Sequence, residues 1–220
     1  MKWFLIGLLL CSLLGSVPVT GQTQPTELEI EIHRMINEVR READPQENSL
    51  QPLQLYSVLI KVARQHSQDM LERNYFDHIS PEGNDVADRV NNAGLEWTAV
   101  GENLFWASGI SPSQVAEEAV QGWVNSPGHY QNIITDYSYT GIGVASSGDT
   151  YYITQVFLNA DPSFLENHGQ IYDNNQLDNI QPDSNSFHLS TNAIIAIVIV
   201  IFVIIGMDAR RRNKRYFHRH

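Results

Sequence analysis

The chain has 220 residues, of which 42% are apolar and 18% are charged, so it can form one packed domain with additional segments. Its single cysteine excludes a disulfide framework and any cysteine-rich zinc module. Seven of the 14 basic residues and 24 of the 25 acidic residues lie between residues 22 and 207, which gives that stretch a formal charge of −17. So acidic a body repels phosphate backbones, and nucleic-acid binding is not expected.

Residues 1–21 have the layout of a secretory signal peptide. An apolar run follows the positive charge of Lys2, and small residues precede a cleavage site before Gln22. An uncleaved membrane anchor is the alternative. Cleavage would remove Cys11, and the mature chain would then contain no cysteine.

Two long amphipathic helices are predicted next. Thr26 is a candidate N-cap, and Glu29, three residues later, completes a capping-box pattern ahead of a helical apolar stripe that reaches Val39. The second helix is predicted over residues 53–73. His66 falls on its apolar stripe, so we expect a hydrogen-bonded core histidine there, and a ligand histidine is the alternative.

Two shorter helices and a hairpin complete the predicted domain. Residues 85–92 form the third helix, which Gly94 ends as a left-handed cap, and the fourth begins at Ser111 and stops at Pro127. The apolar period then changes from 3.6 to 2, which predicts a β-hairpin over residues 142–157. Helices followed by a terminal hairpin indicate an α+β domain over residues 25–160.

The C-terminal part predicts a membrane anchor. Residues 161–188 are rich in Asn, Asp, Gln and Ser, which is typical of a polar tether. Residues 189–207 end in an uninterrupted apolar run of 15 residues and are predicted to form one transmembrane helix. The basic tail 208–220 is typical of a cytoplasmic flank. We therefore expect a single-pass type I protein of the cell membrane, with an extracellular domain and a cytoplasmic C-terminus.

Four segments carry polar residues in an aromatic and glycine-rich context. They are NYFDHISPEGN (74–84), GENLFW (101–106), WVNSPGHYQNI (123–133), and GIGVA (141–145) followed by YYITQVF. Their order and spacing resemble the CAP superfamily, also called the SCP domain, which includes cysteine-rich secretory, antigen 5 and pathogenesis-related proteins. The resemblance covers about residues 27–158 and is to the disulfide-free prokaryotic type. It implies a three-layer α-β-α sandwich.

The resemblance also implies a cleft that holds two histidines and two glutamates. His78, Glu102 and His129 match three of these positions. The fourth does not match, because Ser126 stands where a second glutamate is expected after Trp123; Glu117 and Glu118 lie upstream on the helix and would need a different geometry. Two imidazoles and one carboxylate can hold a divalent metal such as Zn²⁺ with an open position, whereas a hydrogen-bonded polar cluster is the alternative.

Three functions follow from these features. The first is a membrane-tethered extracellular binding module, for which the resemblance implies a lipid, a sterol or a protein as ligand. The second is a metal-dependent hydrolase, protease-like, that acts on cell-surface material. The third is an acidic structural or adhesion module. The sequence leaves open whether the site turns over a substrate, since it has no serine elbow and no catalytic thiol.

Overall fold

The computed structural model describes residues 24–44 and 50–177. The predicted signal peptide, transmembrane helix and basic tail lie outside these residues, as does most of the predicted tether. Within the described part of the chain, no helix is long and apolar enough to cross a membrane.

The first helix, α1, spans Glu27–Ala43 and begins as the sequence predicts. The hydroxyl of Thr26 accepts the amide of Glu29 at 3.4 Å, and the Glu29 carboxylate accepts the amide of Thr26 at 2.7 Å. Both bonds of the capping box are therefore confirmed.

The second predicted helix divides into a strand and a helix. Residues Gln54–Tyr56 form β1, and α2 spans Ser57–Arg73. The strand forms because Gln54 and Leu55 pair in parallel with Tyr139 and Thr140 of a later strand. Long-range pairing thus overrides the helical spacing of the local sequence.

The helices that follow agree in part with the prediction. Helix α3 spans Val86–Asn92 with the predicted start at Asp85, and Gly94 has a φ of +78°. A 3-10 turn precedes α4, which spans Val115–Asn125. The predicted stop at Pro127 is wrong in one respect: Pro127 is also the first residue of a further helix, α5, Pro127–Ile133. Proline suits a first helical position because its missing N–H is not needed there.

A mixed five-stranded sheet forms the middle layer. Strands β2 (Ala99–Ser108), β3 (Tyr139–Ser147), β4 (Thr150–Asn159) and β5 (Ile171–Tyr172) join β1 in the order β2-β4-β3-β1-β5. The hairpin of β3 and β4 is confirmed, and its turn contains Gly148 at a φ of +62°. Strand β2 is absent from the sequence prediction.

Helices cover both faces of this sheet. Ile153 and Phe157 of β4 belong to one core cluster, to which α1, α4 and α5 contribute residues that include Trp123. Val156 and Leu158 belong to a second cluster with residues of α2 and α3. Alternate residues of one strand therefore enter different layers, which agrees with the predicted α-β-α arrangement.

The close approach of α2 to the sheet requires two glycines of β3. A Cβ atom on Gly141 would lie 2.1 Å from the carbonyl carbon of Leu59, and one on Gly143 would lie 2.0 Å from the amide nitrogen of Arg64. The GIGVA segment therefore lets the helix backbone rest directly on the strand.

The packed domain extends to Leu177, beyond the predicted limit at residue 160. Helices α6 (Pro162–Glu166) and α7 (Asn174–Leu177) flank β5, which pairs with β1. Three apolar side chains anchor this polar stretch in the core: Leu165, Tyr172 and Leu177. Part of the predicted tether is therefore folded.

Candidate functional site

The structure brings His78 and Glu102 into direct contact. His78 Nδ1 lies 2.8 Å from Glu102 Oε1; a carboxylate only accepts, so Nδ1 donates. The Glu102 side chain is buried, whereas the His78 side chain is 53% exposed. The hydrogen bond that His78 donates to Glu102 raises the pKa of His78 above its usual value. In its neutral form this imidazole directs a lone pair on Nε2 away from Glu102.

Arg89 of α3 binds the other oxygen of the same carboxylate. Its Nη2 donates to Glu102 Oε2 at 2.5 Å, and its Nη1 donates to the carbonyl oxygens of His78 and Asn84 at 3.1 and 2.9 Å. Both oxygens of Glu102 therefore have protein donors. The guanidinium also fixes the loop that carries His78, because it binds carbonyl groups at two points of that loop.

We call residues 74–85 the His78 loop. Three further contacts hold it in place: His66 Nε2 lies 3.0 Å from the carbonyl oxygen of Asp77, Arg73 pairs with Glu82, and the amide of Ser80 donates to Asn84 O at 2.9 Å. The loop thus presents His78 from a braced backbone.

His129 lies on α5, which is bound to β2 through side-chain amides. Asn132 Nδ2 donates to Glu102 O at 3.0 Å and to Asn103 Oδ1 at 2.9 Å, and Asn103 Nδ2 donates to His129 O at 3.1 Å. Burial and then the nearby charge of His78 lower the pKa of His129. The two imidazoles therefore belong to one electrostatic cluster with opposite pKa shifts.

His66 is a hydrogen-bonded core histidine, as predicted. It is buried and bonded to Asp77 O, and burial followed by the charge of Arg89 lowers its pKa. It also lines an open cleft of about 520 Å³ together with Asp69, Arg73, Ser80 and Arg89. His66 thus supports the His78 loop through the carbonyl group of Asp77 and also lines this cleft.

Sequence comparison identifies the family. The model of the cysteine-rich secretory protein (CAP) family matches residues 33–157, which is more than half of the chain. The chain belongs to the CAP family. This membership confirms the resemblance seen in the four motifs, and the strands and helices described above are a CAP domain.

Two curated relatives come from Bacillus subtilis. The "Uncharacterized protein YkwD" is 38% identical over 117 residues, which are 53% of this chain and 43% of that protein. The "Uncharacterized membrane protein YlbC" is 36% identical over 99 residues, which are 44% of this chain and 26% of that protein. The match thus spans less than half of either relative, and neither name states an activity.

One solved structure supports the fold. An outer surface protein of Borrelia burgdorferi is 23% identical, with a TM-score of 0.52 over 63% of this chain and 97% of that chain. A more distant structure, that of NaASP2 with Zn²⁺, is 17% identical with a TM-score of 0.44 over 64% of this chain and 82% of that chain. The first likeness concerns the fold alone, and the second carries no inference for this chain.

The fourth position of the cleft has no glutamate in this CAP domain. Ser126 lies at the junction of α4 and α5, and Glu117 accepts a hydrogen bond from Gln121 at 3.0 Å. Among residues 24–44 and 50–177, no group of three or more His, Cys, Asp or Glu side chains has a metal-holding arrangement. The three-ligand set of His78, Glu102 and His129 stays a prediction, since Glu102 has both oxygens engaged.

Sequence reasoning missed Arg89 and the two asparagines that join α5 to β2. Arg89 lies 13 positions before Glu102, so no local spacing relates them. One signal was available, because Arg89 is one of only seven basic residues in an acidic body. A scarce cation in such a body is a natural candidate for a buried ion pair.

Proposed function

We propose that this CAP protein is a membrane-tethered extracellular binding module whose ligand contacts are the imidazoles of His78 and His129, with a divalent metal such as Zn²⁺ as one ligand. The observation that carries the proposal is the double engagement of Glu102 by His78 and Arg89. A carboxylate that binds the far nitrogen of a histidine orients the imidazole and raises its basicity, an arrangement common behind metal-ligating histidines. Glu102 is then a positioning residue.

The same observation argues against the hydrolase alternative. A hydrolytic metal centre uses three protein ligands and a base that is free to accept a proton. Both oxygens of Glu102 already accept protein donors, so His78 and Arg89 would compete with a metal or a proton for this carboxylate. Binding involves no such competition, because the exposed edge of His78 is already presented.

Zinc titration of the full-length chain by calorimetry tests the proposal. Replacement of either histidine by alanine should weaken binding by about tenfold or more, since each supplies one of two imidazole ligands. Affinity should fall as the pH drops through the raised pKa of His78, which lies above ~6.5, because protonated imidazole cannot bind a metal. His168→Ala is the matched control, since His168 is exposed and stacks on Phe164 outside the cluster.

Zinc binding that is equal in the parent and in both variants would overturn the assignment of these ligands. The tether is tested separately: protease added to intact cells should digest the domain and leave a tag after His220 intact. Support for this topology comes from the predicted apolar span and from the relative YlbC, which is named a membrane protein.

A further inference from the structure

The outer edge of β2 is covered along only part of its length. Strand β2 ends the sheet order, so among the described residues β4 is its only partner strand. The amide of Gly109 donates to Asp149 O at 3.1 Å, and these two residues continue the β2–β4 register. In an antiparallel ladder the bonded positions alternate, so odd-numbered residues of β2 bond to β4 and even-numbered residues direct their N–H and C=O groups outward.

Side chains of α4 and α5 cover the first half of this outer edge. Trp123 Nε1 donates to Leu104 O at 2.8 Å, and Asn132 Nδ2 donates to Glu102 O at 3.0 Å. Both acceptors are even-numbered residues, as the alternation requires. The outward groups of Trp106 and Ser108, by contrast, have no hydrogen-bond partner in the described part of the chain.

This second half lacks the usual protection of an edge strand. Residues 105–108 read Phe-Trp-Ala-Ser, with no lysine, proline or inward charge to block pairing. We call Trp106, Ser108 and their outward backbone groups the free edge.

Exposed aromatic side chains adjoin the free edge. Three large apolar residues are exposed among those the structure describes: Phe76 (50%), Ile79 (53%) and Trp106 (48%). The rings of Phe76 and Trp106 each lie 6.4 Å from the ring of Tyr152, so they flank one aromatic centre. Phe76 and Ile79 belong to the braced His78 loop, and the patch is therefore held in place.

The charge around this patch selects among occupants. Asp77 follows Phe76, Asp149 binds the end of β2 through its carbonyl, and both residues are exposed. The body as a whole is strongly acidic, with 24 acidic and seven basic residues between 22 and 207. A second copy of this chain would bring the same negative charge to the contact, whereas a basic partner would be attracted.

We propose that the free edge and its aromatic patch bind an extended peptide segment of a partner protein, which adds a short strand to β2. The segment's backbone pairs with Trp106 and Ser108, an apolar side chain packs against Trp106, Tyr152 and Phe76, and flanking basic residues meet Asp77 and Asp149. Main-chain hydrogen bonds give affinity in this mode and side-chain contacts give selectivity. The proposal goes beyond the site of His78, Glu102 and His129, which we call the histidine cleft, and needs no metal.

The test measures fluorescence polarisation of a short labelled peptide in which valine and threonine alternate between paired lysines. The full-length chain, kept in solution with a mild detergent, should bind it. Ser108→Pro should weaken binding by about tenfold or more, because it removes an outward N–H without breaking the β2–β4 ladder. Ser108→Ala is the matched control and should bind like the parent. Trp106→Ala should lose a similar factor, with circular dichroism confirming an intact fold.

Two altered peptides complete the test. Methylation of alternate backbone amides should abolish binding, and glutamates in place of the lysines should weaken it. No binding of the lysine peptide, or equal binding by Ser108→Pro and the parent, would overturn the proposal. Self-association that Ser108→Pro removes, or transfer of Trp106 into phosphatidylcholine vesicles, would replace the peptide with another occupant. Binding that His129→Ala and EDTA leave unchanged separates this proposal from the histidine cleft.

Discussion

A buried arginine and a half-buried arginine of this domain, Arg40 and Arg89, make opposite kinds of contact. Arg40 of α1 binds only carbonyl oxygens: Gln51, Ile133, Thr135 and Tyr137, at 2.7 to 3.1 Å. Arg89 binds a carboxylate at 2.5 Å and two loop carbonyls, and 12% of its side chain is exposed. Burial lowers the pKa of Arg40 to about 10.

The difference separates an arginine that supports the backbone from one that binds a side chain of the candidate site. Arg40 fixes the chain just after α5, the helix that carries His129, by using neutral acceptors that do not titrate. Arg89 instead pairs with a carboxylate that also binds an exposed imidazole. A change at Arg89 therefore alters the charge of the site directly, whereas a change at Arg40 acts through the backbone. Four predictions test this contrast.

Arg40→Met should have the largest effect. It removes a donor from four carbonyl groups, of which those of Ile133 and Tyr137 are buried, and should lower the free energy of unfolding by about 3 to 5 kcal/mol. Arg40→Lys should recover little, because one ammonium cannot reproduce the fork of the guanidinium. Denaturant titration measures both, and Arg41→Met, which alters an exposed pair with Glu38 on the same helix, should cost below about 1 kcal/mol.

Arg89→Met should cost less, about 2 kcal/mol, because water can reach the cleft and replace part of the lost contact. The effect that distinguishes Arg89→Met from Arg40→Met is a further rise in the pKa of His78, since the charge of Arg89 opposes protonation of that imidazole. NMR titration of His78 measures the shift. An unchanged His78 pKa together with the same loss of stability as Arg40→Met would show that the two arginines are equivalent.

Glu102→Gln should lower the pKa of His78, because the hydrogen bond that His78 donates to Glu102 is the largest cause of its rise. The substitution keeps the side-chain shape, so stability should change by only about 1 to 2 kcal/mol. Glu82→Gln is the control. Glu82 lies on the His78 loop and pairs with Arg73 of α2, so its substitution should leave the His78 titration unaffected. A His78 pKa that ignores Glu102→Gln would contradict the positioning role.

The smallest effect concerns pH. The raised pKa of His78 gives a stabilisation that is complete below the unfolded value of ~6.5 and is lost as the pH rises through the folded value. The lowered pKa of His129 gives the reverse, a contribution lost as the pH falls below ~6.5. Thermal unfolding of His78→Gln should therefore show a larger deficit at acidic pH than at alkaline pH, and a deficit that grows with pH would contradict this sign.

Local signals account for the elements that the sequence predicted. The capping box of α1 is a sequence pattern of four residues, a glycine marks the end of α3, and the hairpin has an alternating period around a turn. Strand β2 was not predicted because its residues include a glycine, a buried glutamate and a buried asparagine. The hydrogen bonds of these two polar side chains come from residues that are distant in the sequence. The elements after residue 160 were not predicted because only three buried apolar side chains hold an otherwise polar stretch in the core.

The site divides in the same way. Motif order was enough to bring His78 and Glu102 together, and the contact between them is observed. The role of Glu102 was not predictable, because it depends on Arg89 from a separate helix. The sequence thus suggested that these two side chains meet, and the structure shows which of their atoms already take part in hydrogen bonds.

The position of β5 has a mechanical consequence. Helix α7 follows β5 in the chain, whereas the site of His78 and Glu102 and the free edge adjoin β2 at the opposite end of the sheet order. Strand β5 pairs with β1 over only two register positions. A pull applied to α7 therefore loads this short pairing first, and β5 can separate from β1 while the ten-residue ladder of β2 and β4 keeps the binding surfaces assembled.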